Sequence, residues 1–164
     1  MLNSLSGRFL ILTTAFVMLA EVLIFVPSVA RFRQDYILLR LERAQIASLS
    51  VLADDMLDPA LESELLKNAG VFNVVLRRDE VRQLALSSPI PSPIEATYDM
   101  RDPPAWQMIR DAIMTLFHRG NPIFRVIGEP VQQGGLLIEV TMEQAPLRAA
   151  MLDYGLNILW LSLV

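Results

Sequence analysis

Apolar positions dominate two stretches of this chain and recur periodically between them. The first stretch, residues 9–26 (FLILTTAFVMLAEVLIFV), contains one ionisable side chain, Glu21, and two threonines able to bond back to helix carbonyls. Its 18 residues come close to the ~20 needed to cross a bilayer core of ~30 Å. Backbone groups in hydrocarbon must be satisfied internally, so residues 9–27 are predicted to form a transmembrane helix. A cleaved signal peptide is the competing reading, and Ser28-Val29-Ala30 offers small residues for processing. Its apolar region would run only roughly 7–15 residues, so an uncleaved anchor is expected. The second stretch, residues 154–164 (YGLNILWLSLV), carries no charge. Eleven helical residues rise only ~16 Å, so residues 146–164 read as a helix leading into a second, truncated transmembrane helix. The expected whole is the N-terminal part of a longer protein.

Between these stretches the period changes several times. Leu38, Leu41, Leu49, Leu52 and Met56 recur at three- and four-residue steps, with Ala44 and Ala53 near them. The first helix is therefore predicted to continue outward to about residue 57, its charges (Asp35, Arg40, Glu42, Arg43) on the opposite face. That stripe packs either on its own domain or on the same helix of a second subunit. Asp58-Pro59 reads as an N-cap followed by proline at the first helical position, and Gly70 as a left-handed C-terminal turn. Residues 71–76 and 81–88 read as a hairpin around a polar loop. Pro89, Pro91 and Pro93 then predict an extended linker. Asp102-Pro103 repeats the helix-start signal before a helix with Trp106, Ile109, Ile113, Leu116 and Phe117 on one side. Strands follow at residues 123–128 and 136–142, joined by the Gln133-Gly134-Gly135 turn, and Pro146 restarts a helix. The fold class this order predicts is α+β: a transmembrane helix continuing into a long helix, then a small antiparallel sheet with helices.

Composition narrows the chemistry. Hydrophobic residues make up 53% and mean hydropathy is +0.40, with the excess at the two ends. A net charge of −4 with no basic stripe gives no basis for nucleic-acid binding. There is no cysteine, so disulfides, thiolate metal sites and cysteine nucleophiles are excluded. His118, the only histidine, lies in the last turn of a predicted helix, where the dipole favours a cation, and no catalytic or metal role is expected of it. Gly134-Gly135 sits between strands rather than before a helix, so no phosphate loop is present. No catalytic residue is assigned.

Two kinds of position remain. Glu21 lies inside the apolar stretch near one edge, and helix–helix packing in the membrane is its expected role. Arg82, Tyr98, Trp106 and Arg125 are the candidates for ligand binding, because arginines on strands can grip an anion bidentately. The plainer reading of Arg82 and Arg125 is solvent-facing strand residues or ordinary ion pairs, and it is the one preferred.

The opening MLNSLSGRFLILTTAFVMLAEVLIFVPSVARFRQDY, the central NAGVFNVVLRR with LALSSPIP, and the closing IEVTMEQAPLRAAMLDYGLNILWLSLV resemble the N-terminal input region of bacterial membrane-bound sensor histidine kinases. The resemblance implies a cytoplasmic N-terminus at residues 1–8 and a periplasmic sensor domain over residues 28–145, of the PAS-like or Cache-like kind. Counted locally, Arg31, Arg33, Arg40 and Arg43 favour the opposite orientation, but that rule is weakest for long translocated domains. It further implies a homodimer in the bacterial inner membrane and a cognate response regulator as partner. ATP and Mg²⁺ would belong to a kinase core beyond these residues, and no cofactor is expected in the chain itself. The residues alone are also compatible with another output, such as a chemoreceptor or a cyclic-dinucleotide enzyme, or with a structural envelope protein.

Overall fold

The computed structural model describes residues 5–53, 58–78, 81–130 and 135–162, with the side chains of residues 51–53, 78 and 81–85 outside the description. Helix α1 runs over Leu5–Ala53, 49 residues, or about 73 Å at ~1.5 Å per residue. Proline at position 27 removes the backbone donor that would serve the carbonyl four residues earlier, yet the helix continues. Just beyond it, the Ser28 hydroxyl donates to the Ile24 carbonyl at 2.7 Å. Up to residue 24 the side chains of α1 are exposed, save Gly7 and Ala20, which are partly covered. From Val29 onward one face is buried.

That face is not the stripe expected from sequence. It comprises Val29, Ala30, Arg33, Ile37, Leu41, Ala44 and Ser48, whereas Leu38 is exposed and Leu49 half-buried. Leu41 and Ala44 belong to both sets; Leu52, Met56 and Ala53 fall outside the described side chains. The true stripe includes a polar residue, Arg33, and small ones, so a search for leucines alone selects a neighbouring face.

Helix α2, Pro59–Ala69, forms as its end signals require. The Asp58 carboxylate accepts from the Ala60 N–H, and Gly70 closes the helix at φ 70°. Strands β1 (Asn73–Arg78) and β2 (Val81–Ser87) make the expected hairpin, and β4 (Ile123–Gly128) pairs antiparallel with β5 (Leu137–Glu143). Of the expected Gln133-Gly134-Gly135 turn, Gln133 and Gly134 lie outside the described residues; at Gly135 a Cβ would fall 2.8 Å from the Arg77 carbonyl oxygen.

The prolines at 89, 91 and 93 lie in the expected irregular segment, but it ends at residue 93. They are followed by a strand, β3 (Ile94–Asp99), which pairs parallel with β4. A helix, α3 (Ala105–Phe117), lies between β3 and β4. A crossover of that length lets two successive strands run the same way, whereas a tight hairpin cannot. The sheet is thus mixed, with order β2-β1-β5-β4-β3, rather than antiparallel throughout.

Helix α3 starts later than its signal suggests. Pro104 is the N-cap residue and no side chain caps it. Its orientation also departs from expectation. Asp111, Ala112 and Thr115 are buried, while Trp106, Ile113, Met114 and Phe117 face outward, Trp106 at 63% and Phe117 at 80% exposure. Small residues at 112 and 115 let the helix approach α1 closely, and the buried Thr115 hydroxyl donates to the Asp111 carbonyl at 2.7 Å while accepting from Arg33 of α1.

Helix α4 (Gln144–Ser162) follows β5 directly, two residues before the expected proline. Leu147, Met151 and Gly155 are buried at four-residue steps. A Cβ on Gly155 would lie 3.2 Å from the Phe25 ring of α1, and Tyr154 stacks on Phe32 with centroids 4.3 Å apart. Beyond that contact Leu156, Leu159, Trp160 and Leu161 are exposed. The core lies between α1 and one sheet face, built from Val74, Leu76, Leu86, Phe124, Val126, Ile138, Val140 and Met142. Gly128 sits under α1, where a Cβ would meet Leu41 at 2.6 Å.

Candidate functional site

Four elements close around a cavity of about 240 Å³. Helix α1 contributes Tyr36 and Arg40, α2 contributes Ser63, Leu66 and Lys67, and the α2–β1 connection adds Gly70, Val71 and Phe72. Ser88 follows β2, Met142 and Glu143 end β5, and Pro146 opens α4. The floor is apolar, with Leu66, Val71 and Met142 all buried.

Arg40 is fixed by its neighbours. Its Nη1 donates to the Ala69 carbonyl at 3.0 Å and its Nη2 to the Tyr36 hydroxyl at 2.9 Å. Gly70 is required beneath it: the backbone there is left-handed, and any Cβ would collide with the guanidinium. A guanidinium has five N–H donors, so two bonds leave it able to bind something further. The Lys67 side chain has no ion-pair or hydrogen-bond partner among the described residues and is exposed at the rim. Glu143 lies opposite in charge, its carboxylate accepting from the Asn121 amide at 2.7 Å. Ser88 is committed to the backbone, its hydroxyl donating to the Phe72 carbonyl at 3.0 Å.

A second polar cluster has a buried centre, with Arg110 at its edge half in solvent. Arg33 of α1 is 3% exposed; its Nε donates to Thr115 Oγ1 at 3.1 Å and its guanidinium lies 4.5 Å from the Tyr98 ring centroid. Burial pulls its pKa below the ordinary arginine value, an effect only partly offset by Tyr98 and Asp111. Asp111, itself buried, is held by Arg110 through Nε at 3.0 Å and Nη2 at 2.9 Å. One Arg33 nitrogen, Nη2, has no hydrogen-bond partner among the described residues. This cluster joins α1 to β3 and α3.

The residues singled out from sequence do not meet. Tyr98 belongs to this second cluster, under Arg33 and edge-on to Phe124 at 5.6 Å. Trp106 lies on the outer face of α3 beneath Arg110, at 5.3 Å. Arg125 sits on the sheet's other face, 3.9 Å from the Glu139 carboxylate. The Arg82 side chain lies outside the described residues, and Glu21 is exposed on the apolar half of α1. Sequence reasoning missed Tyr36, Arg40 and Lys67. The signals available were Tyr36 and Arg40 one turn apart, and a lone lysine beside a helix-ending glycine. His118 caps α3 through its backbone, the N–H donating to the Met114 carbonyl at 2.9 Å.

Fold and site together define a class: an α+β domain of a mixed five-stranded sheet, carried on a helix long and apolar enough to cross a membrane, with a small polar-rimmed cavity between its helices. None of that helix's most apolar window is buried within the protein. Comparison with protein-family models, curated proteins and solved structures finds no match.

Proposed function

We propose that this chain is the signal-sensing input region of a membrane sensor histidine kinase. The observation that carries the reading is the cavity's lining. It joins Arg40, on the helix whose other half is apolar and exposed, to Pro146 at the start of α4. Occupancy there bears on both helices at once. A ligand that prefers one arrangement of them shifts the population toward it, and displacements of ~1–2 Å between packed helices suffice for switching. The exposed apolar end of α4 supports a second membrane segment that carries the shift to a kinase core. In this reading the domain is periplasmic, of PAS-like or Cache-like type, the anchor lies in the bacterial inner membrane, and the receptor works as a homodimer with a cognate response regulator.

The test is a chimera in which α4 continues into a heterologous kinase core. Single alanines inserted one at a time at the junction rotate the output by ~100° each. Autophosphorylation that varies with that register supports the reading; output indifferent to it overturns it. Reporter fusions at residue 4 and at residue 130 should fall on opposite sides of the membrane.

A further inference from the structure

We infer that the cavity between α1, α2 and the β5–α4 junction binds a small monocarboxylate with an apolar body, its charge held by Arg40 and Lys67. The inference rests on taking this cavity as the receptor's input site, but binding itself can be measured apart from signalling.

Charge and surface select the ligand class. Two cations and one carboxylate, Glu143, line the cavity, so a single negative charge neutralises it and a second meets repulsion. Arg40 is preorganised by its bonds to Ala69 and Tyr36, and keeps donors to spare. Lys67, unpaired among the described residues, can swing onto a bound oxygen. The rest of the ligand meets Leu66, Val71 and Met142, which exclude water and reward an apolar body over a second polar group. A volume of about 240 Å³ is enough to hold a small molecule.

The experiment is calorimetric titration of the full chain in detergent with acetate, hexanoate and benzoate, and with hexanamide and benzamide as neutral isosteres. Hexanoate or benzoate should bind saturably, more tightly than acetate and than either amide. Lys67→Ala should weaken it roughly tenfold, the worth of one hydrogen bond to a charged group, without changing the thermal midpoint, because Lys67 is exposed and unpaired. Glu143→Gln should tighten it and admit the dianion succinate. Binding of none of the three acids, equal binding of acid and amide, or unchanged affinity in K67A overturns the inference. Benzoate binding with no response from the chimera leaves this site standing and removes the sensor reading; a register-dependent chimera that binds no acid does the reverse.

Discussion

The two halves of α1 are made of similar apolar residues and treat them in opposite ways. In the first half Phe16 is 72% and Leu23 65% exposed; in the second Ile37 is 0% and Leu41 2% exposed. The difference lies in what stands between the apolar residues. Residues 31–43 interleave Arg31, Arg33, Gln34, Asp35, Arg40, Glu42 and Arg43, so one stripe can turn to the sheet while the rest meets water. The first half is apolar all round and has no face to choose. A helix of that kind is stable only where its whole surroundings are apolar. One continuous backbone therefore carries two surface patterns, the first compatible with a membrane span and the second packed on the sheet, and Pro27 marks where one gives way to the other.

The contrast is broken most forcefully by exchanging solvents. Leu12→Arg with Phe16→Arg places two charges in the apolar half, each costing ~2.5–3.5 kcal/mol at a span centre. The expected outcome is loss of the chain from the membrane fraction after carbonate extraction, with no change in the domain's thermal midpoint. Ile37→Ala is the mirror experiment. It leaves a void under the sheet and should cost ~2–5 kcal/mol in chemical denaturation, with membrane partition unaltered. If L12R/F16R melts the domain, or I37A releases the chain from the membrane, the two halves are not independent.

What could be read from sequence follows the range of the interactions involved. The α2 ends were legible because Asp58, Pro59 and Gly70 act on backbone groups within a turn of themselves. The outer strand β3 was not. Three prolines precede it, and it pairs only with β4, which follows a whole helix later. The face of α3 was misassigned for a similar reason. Asp111 and Thr115 find partners inside α3, in Arg110 and the Asp111 carbonyl, but the contact that turns Thr115 inward is with Arg33, 82 residues earlier. The cavity is least legible of all. Arg40 and Lys67 look like ordinary surface cations until α1, α2 and β5 are brought together.

A smaller effect probes how the packed half of α1 is joined to α2. Gly70→Ala forces a Cβ into a left-handed backbone, at roughly 1–2 kcal/mol, and displaces the Arg40 guanidinium that crosses the glycine. Destabilisation of that order is expected in urea unfolding. In the double variant Gly70→Ala/Arg40→Ala the two losses should not add, because the second removes the collision created by the first. Strict additivity would show that Arg40 does not lie across Gly70 in solution.

The smallest effect compares two arginines, one shut away from water and one in it. Arg33 is buried, whereas Arg101 is exposed and grips Asp99 through Nε at 2.9 Å. The Arg101 hydrogen bond holds the Asp99 carboxyl below its ordinary value. A depressed folded-state pKa means the pair stabilises the domain above the unfolded carboxylate pKa of ~3.9, and that contribution disappears as pH falls through the lower folded value. Both side chains are 45% exposed, so water and salt screen the attraction heavily. Asp99→Asn should therefore lower the thermal midpoint slightly at neutral pH, less as the pH drops below 4, and not at all in molar salt. Arg33→Met should show no such salt dependence, because its surroundings of Tyr98 and Thr115 exclude ions. If the R33M effect shrinks in salt as the D99N effect does, the centre of the Arg33 cluster is open to solvent, and the packed half of α1 is looser than its burial implies.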